Sequence, residues 1–326
     1  MKKKVLLIGR WGKTHALAKA IVESGNADLY SYMDKPNAGI VPLAKEYKIG
    51  DLKDSEKIID YALEKEIDLA IVVPHMTLKL DLTNDMIDKG IRCVGPTKQC
   101  SKLETDKGFL REILNEVAPD VSPSYQVFTS EQETIDHIRG LNHDFAVKPA
   151  GVTEGDGVKV IGIQLKNVDE AVEYVREIFA KNIGKIPRVI IEEKLTGREF
   201  TIQAFVDGKT MAGMPATRDY KLLKEGERGL NTPGMGSISF SDHLLPFLNQ
   251  KQYDESLGIM QKVVDHLQEH YNAEYKGFLS GQFIMTEEGI KVIEFNVRPG
   301  DSEILNITPI LKTNFVDICE AIVDGS

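Results

Sequence analysis

The chain has 326 residues, 42% hydrophobic and 28% charged, with a net charge of −10. That is the composition of a globular protein with room for two or three domains. The acidic balance and the lack of a long basic run argue against a nucleic-acid surface. Apolar runs such as VLLIG and LAIVVP are too short to cross a bilayer.

MKKKVLLIG has the charge of a signal n-region, but its apolar segment is short and Arg10 follows at once, so a cytoplasmic location is expected. The first hundred residues then alternate. KVLLIG (4–9) predicts a strand, 14–24 a helix, 27–33 a strand, 55–66 a helix, 68–74 a strand, 82–90 a helix and 91–96 a strand. Continuous apolar strands alternating with helices predict a parallel sheet covered on both faces. Ligands of such sheets bind beyond the carboxyl ends of the strands, which puts GRWGKTH (9–15) and VVPHMTLK (72–79) on the functional edge. Cys93, Cys100 and Cys319 show no metal-binding spacing, and Cys93 reads as a small core residue.

After GPTKQCSKLETDK the pattern changes. Helices are predicted at 105–117, 130–140 and 168–181, and strands at 124–128, 144–149 and 157–163. Strands near 187–194, 199–207 and 209–214 follow, joined by the hairpin-like turns LTG and DGK. Residues 216–237 read as a long loop, 250–271 as a helix, 277–297 as a hairpin and 313–323 as a last helix.

Three stretches carry chemistry. In FAVKPAGVTEGDGVKVI (145–161) a strand ends in Lys148, and a loop with Gly151, Gly155 and Gly157 follows. Glycines let backbone N–H groups close over an anion, and the lysine adds a charge suited to phosphate; a long hairpin with a surface lysine reads the same way. VIIEEKLTGREF (189–200) places the Glu192–Glu193 pair and Leu195 at the point where a strand becomes a linker. Free backbone groups there match the edge of an adenine, and Glu199 is suited to ribose hydroxyls; an exposed turn is the alternative. In GQFIMTEEGIKVIEFN, a turn centred near Glu288 sets Gln282 opposite Glu294, and Asn296 shares the face of Glu294. These oxygen donors are either a solvated edge or the ligands of a nucleotide-bound Mg²⁺.

In this order the three elements resemble the ATP-grasp superfamily. The resemblance narrows on HALAKAI, PNAG (36–39), GPTK with DKGFLREIL, RDYKLLKEGERGLNTPGMG (218–236), YKGFLSGQFI and KVIEFNVRPGDSE, and covers nearly the whole chain. With these motifs the chain resembles the glycinamide ribonucleotide synthetase (phosphoribosylamine–glycine ligase) family. The resemblance implies an α/β and α+β fold: an N-terminal doubly wound parallel sheet in residues 1–103, then a two-lobed ATP-grasp domain in 104–326 with 121–195 as its smaller lobe. It implies a purine-biosynthetic, Mg-dependent, ADP-forming carboxylate–amine ligase acting through an acyl phosphate.

By the same resemblance, Lys107, Lys148, Glu154, Gly155, Gly157, Glu192, Glu193, Leu195 and Glu199 would bind ATP. Glu294, Asn296 and Gln282 would hold Mg²⁺, or Mn²⁺ in its place. Arg298, Lys148, Asp219 and Lys221 would act in catalysis. His15, Asn37, Gly39, Asn231, Arg298 and Asp301 would face the acid and amine; His15 also reads as an ordinary surface histidine.

The chain departs from the family at RWGKTH, where a glycine-rich GGREH-like loop is usual, at VPHMTLKL, and at TRDYK, which keeps Asp219 and Lys221. It ends at Ser326, where the family continues into another domain. A separate chain supplying that domain, or a homodimer, is therefore expected. A paralogous ligase for another acid or amine, and a nucleotide-binding subunit without turnover, remain open alternatives.

Overall fold

The structure, a computed structural model, describes residues 2–151, 157–226 and 228–326. Its first unit contains β1 (Lys3–Ile8), α1 (Gly12–Glu23), β2 (Ala27–Met33), β3 (Glu46–Ile49), α2 (Ser55–Glu64), β4 (Leu69–Val72), α3 (Leu82–Asp88) and β5 (Arg92–Val94). The strands form one parallel sheet in the order β3-β2-β1-β4-β5. Alternate residues explain its two faces. Val5, Leu7 and Ile71 join α1, while Leu6, Ile8, Ala70 and Val72 join α2 and α3. The sequence pattern does not predict strand β3, because EYKI is mostly exposed at the sheet edge and carries no buried stripe.

Two short helices lead onward: α4 (Lys98–Thr105) and α5 (Lys107–Val117). Asp106 caps α5, accepting hydrogen bonds from the Gly108 and Phe109 N–H groups. The small lobe follows, with β6 (Tyr125–Phe128), α6 (Glu131–Gly140), β7 (Phe145–Pro149), β8 (Lys159–Val160), α7 (Val168–Lys181) and β9 (Val189–Glu193). Its antiparallel sheet runs β6-β9-β7-β8, with α6 and α7 packed on it.

The large lobe holds β10 (Arg198–Asp207), β11 (Met211–Gly213), β12 (Thr217–Lys224), β13 (Arg228–Ser239), α8 (Gln250–Tyr271), β14 (Lys276–Thr286) and β15 (Gly289–Asn296). Its sheet runs β13-β12-β10-β14-β15, with β11 beside β10, and α5 and α8 cover one face. The long loop read at 216–237 is instead the hairpin β12–β13. Its pairing shifts register between Tyr220 and Leu222 and again between Leu222 and Lys224. The strands are half-exposed over a cleft, so no regular apolar alternation marks them.

The chain closes with α9 (Glu303–Ile307) and α10 (Phe315–Asp324). Both return to the N-terminal sheet, where Ile304, Phe315, Val316 and Cys319 share one apolar cluster with Val5, Leu7 and Ile71. Phe205, Met214 and Phe278 of the large lobe belong to that same cluster. Gly95 and Gly277 pack so closely that a Cβ on Gly277 would sit 3.2 Å from the Gly95 backbone. Among the described residues, no helix is long and apolar enough to cross a membrane.

Candidate active site

A cleft of about 1010 Å³ lies between the small lobe, the β12–β13 hairpin and the end of β15, with the N-terminal sheet edge at one end. The metal face comes first, because its geometry depends on an irregularity. The β14–β15 turn pairs Thr286 with Gly289, so it is centred between Glu287 and Glu288 rather than on Glu288. A regular hairpin from that turn would set Gln282 opposite Ile293. Instead the register slips between Gln282 and Phe283, Ile293 bulges out, and Gln282 meets Glu294. The bulge turns the carboxylate towards the cleft. The expected pairing is present for a different reason from the one the sequence offered.

Arg111 of α5 holds the bulge. Its guanidinium donates to the carbonyls of Val292 (3.2 Å) and Ile293 (2.6 Å) and forks onto both oxygens of Glu192 at 2.8 and 3.0 Å. Lys148 completes the group by donating to Glu192. All three side chains are nearly closed to water. Burial opposes ionisation of Glu192, but Arg111 and then Lys148 overcome it and bring its carboxyl down to about 2. Glu192 thus balances two cations in the joint between the lobes.

Lys107 occupies the first turn of α5. Its backbone N–H donates to Ala150 (2.9 Å) and its ammonium to Gly151 (3.0 Å), so it grips the end of β7 twice. Gly151 has no room for a side chain, since a Cβ would lie 2.0 Å from the Gly184 carbonyl oxygen. Burial lowers the Lys107 ammonium despite the opposing charge of Glu294. Burial would raise Glu294, but Lys107, Lys221 and Lys148 hold it below the usual carboxylate range.

Glu294, Asn296 and Gln282 all line the cleft. Asn296 donates to Glu294 at 3.3 Å, and Gln282 accepts from Lys221 at 3.0 Å. The donors are one carboxylate and two amides, and among the described residues no three His, Cys, Asp or Glu side chains cluster as a metal site. A hard cation fits this set if phosphate oxygens and water supply the rest of its shell. Gln282 joins it only by giving up Lys221.

The opposite wall is the acceptor side. Lys221 lies 3.5 Å from Asp219 and 3.6 Å from Glu199. Burial would lower its ammonium, but Asp219, Glu199 and Glu294 raise it above the ordinary lysine value. Arg298 donates to Glu104 (2.9 Å) and Asn296 (3.3 Å), and Glu104 also accepts from the Val297 N–H. Beyond it, Lys13 of α1 reaches the Pro299 carbonyl at 3.4 Å. Burial, reinforced by Arg298, pushes Lys13 down to about 7. Asp301 and the buried Glu303 line the same end.

Some expected contacts lie elsewhere. Glu193 accepts from the Ser124 N–H and lines a shallow concavity with Asp144 and Lys194, outside the cleft. Leu195 follows it on the half-buried linker and is not among the cleft-lining side chains. Asn37 donates to Arg10 and accepts from the Gly39 and Ile40 N–H groups, so its amide builds the PNAG turn. A Cβ on Gly39 would lie 2.5 Å from the His15 ring, which brings the two N-terminal loops together, yet neither residue is among those lining the cleft. Gly157 accepts a hydrogen bond from Tyr174 at 2.7 Å. Glu154 and Gly155 lie outside the described residues, as does the side chain of Asn231. His266, on α8, is buried and stacks on His270.

Residues 3–104 match the phosphoribosylglycinamide synthetase N domain and residues 105–304 its ATP-grasp (A) domain. The chain is 42% identical to the phosphoribosylamine–glycine ligase of Methanopyrus kandleri, over 99% of its own length and 72% of that protein's. It is 41% identical to the enzyme of the same name from Methanobrevibacter smithii, over 99% and 73%. The crystal structure of phosphoribosylamine–glycine ligase from Thermotoga maritima superposes with a TM-score of 0.82, covering 99% of this chain and 76% of that one. At 23% identity that likeness concerns the fold. With both domain models matched in order and a relative 42% identical over nearly the whole chain, the chain belongs to the phosphoribosylglycinamide synthetase family of ATP-grasp ligases.

Proposed function

We propose that the chain joins the carboxyl group of glycine to the amine of phosphoribosylamine while ATP is cleaved to ADP and phosphate. Membership of the family makes it an ATP-dependent ligase, and the ADP-forming route runs through an acyl phosphate. The observation that carries the substrate reading is that Lys107, Glu192, Glu294 and Arg298 line one cleft, with Lys148 bonded to Glu192 behind its wall and a second charged wall facing them. The glycine carboxylate attacks the γ-phosphoryl group. Lys107 and Lys148 neutralise the phosphates, Glu192 fixes Lys148 in place, and Glu154, Gly155 and Gly157 are assigned to the same phosphates. Glu294 and Asn296, with Gln282 beside them, would hold Mg²⁺, which would supply charge neutralisation at the transferring group.

Arg298 orients the acid; its planar fork suits a carboxylate, and Glu104 holds it from behind. Asp219 and Lys221 border the acceptor, with Glu199 beside the ribose and Asp301 nearer the amine. His15 and the PNAG turn form the rim. Enclosure protects the acyl phosphate from hydrolysis. Three buried, unpaired cysteines fit the reducing cytoplasm, where we place the chain.

ADP release across a panel of amino acids, with and without phosphoribosylamine, tests this reading. Glycine-dependent release that requires phosphoribosylamine is the expected result. Turnover only with another acid–amine pair, or tight ATP binding without turnover, refutes it.

A further inference from the structure

Amide formation leaves a proton to remove. When the amine attacks the acyl carbon, the new C–N bond carries an ammonium-like nitrogen, phosphate departs with the C–O electron pair, and an N–H proton must pass to a base. The acceptor side of the cleft presents five carboxylates. Glu104 is paired with Arg298 at 2.9 Å, Asp219 and Glu199 with Lys221 at 3.5 and 3.6 Å, and Asp301 is partly exposed to solvent beside Gly12. Glu303 differs from all four: only 3% exposed, it lines the cleft with no cation at salt-bridge distance among the described residues.

Its position is made by the backbone around it. A Cβ on Gly300 would lie 2.5 Å from the Glu303 carboxyl, so glycine there leaves the space that the carboxyl fills. Gly300 is pinned in turn by its N–H, which donates to the buried Gln203 at 2.7 Å. The charged groups facing Glu303 are Asp219 and Lys221 from β12, Arg298 from the segment after β15 and Lys13 from α1.

We propose that Glu303 is the general base of the amide-forming step, taking the amine proton as phosphate leaves the acyl carbon. This rests on the ligase reading above and assigns a role that phosphoryl transfer does not use. Burial, reinforced by Asp219, pushes the carboxyl up to about 7, against Lys221 and Arg298. A base is most effective when its pKa lies near the working pH. Lys13 is less suited, since its ammonium already donates to Pro299 and faces Arg298.

The test separates the two half-reactions in Glu303→Gln. Acyl-phosphate formation is read by glycine-dependent positional exchange of ¹⁸O between the β,γ-bridge and non-bridge positions of ATP. Amide formation is read by product. The expected result is exchange within about threefold of wild type, with amide formation down by about 10²–10⁴. The acidic limb near pH 7 in wild-type kcat should vanish in Glu303→Gln and persist in Glu303→Asp. Gly300→Ala, which displaces the carboxyl without changing it, should also slow the amide step selectively. Equal loss of both half-reactions, or amide formation within about threefold of wild type with the acidic limb intact, overturns the proposal. If wild-type enzyme fails to use glycine, the substrate reading falls, and the same comparison is made with the acid–amine pair it does use.

Discussion

Replacing Arg111 by methionine keeps much of the apolar stem and removes the cation from the joint between the lobes. Two losses can be sized. Glu192 has its carboxyl at about 2 instead of 4.5 because Arg111 and Lys148 outweigh its burial. A shift of that size corresponds to about 3 kcal/mol, and Arg111 is the larger of the two opposing influences. The Val292 and Ile293 carbonyls also lose a charged donor, each worth about 1.5 kcal/mol. With partial relaxation, Arg111→Met should cost about 3–4 kcal/mol, in the range for breaking a buried pair from one side. The assay is urea denaturation followed by circular dichroism, reading the first transition. Glu192 is a lowered carboxyl, so its contribution is complete above pH 4.5 and disappears as pH falls from 4.5 towards 2. The gap between wild type and variant should therefore narrow over that window. The double variant Arg111→Met/Glu192→Met should cost less than the sum of the single variants. A single-variant cost below about 1 kcal/mol at pH 7 would refute the view that Arg111 joins the lobes.

Glu294→Gln should leave the free energy of unfolding in urea within about 1 kcal/mol of wild type while raising the Mg²⁺ concentration needed for half-maximal ADP release at least tenfold; an unchanged Mg²⁺ requirement contradicts the metal assignment. Gly151→Ala pushes against the Gly184 carbonyl and displaces the oxygen that Lys107 grips, so it should lower stability by about 1–3 kcal/mol and raise KM for ATP. Normal values for both would show that the contact yields freely. Arg298→Lys keeps the charge but loses the fork shared by Glu104 and Asn296, and KM for the acid should rise more than KM for ATP; the reverse order would move Arg298 to the nucleotide side.

Where burial and period coincide, the sequence was readable. The central parallel strands β1 and β4 of the N-terminal sheet carry continuous apolar runs, and Glu294 and Asn296 stand out because they interrupt one. The hairpin pairing came out correctly through two compensating shifts, a turn centre half a residue early and a bulge at Ile293. The β12–β13 hairpin was hidden because RGLNTPGMG reads as turn chemistry, and its strands bury little. Arg111 and Glu104 were missed as charges on helices, which usually face water. A signal for Arg111 existed: it falls within the stripe formed by Leu110, Ile113 and Leu114, where a charge requires a partner. That partner, Glu192, lies 81 positions away and belongs to another sheet. No local pattern reports a pairing at that separation.

The apolar cluster shared by the first sheet, Phe205, Met214, Phe278 and α10 restricts how this enzyme can be re-engineered. The boundary read near residue 103 looks like a seam at which one N-terminal module could be exchanged for another. A transplant cut there would strip large aromatic side chains of their cover and leave a greasy scar on both fragments. Altering substrate choice by grafting would therefore require moving the C-terminal helix and the matching aromatics together. Changing individual rim residues is the less disruptive route.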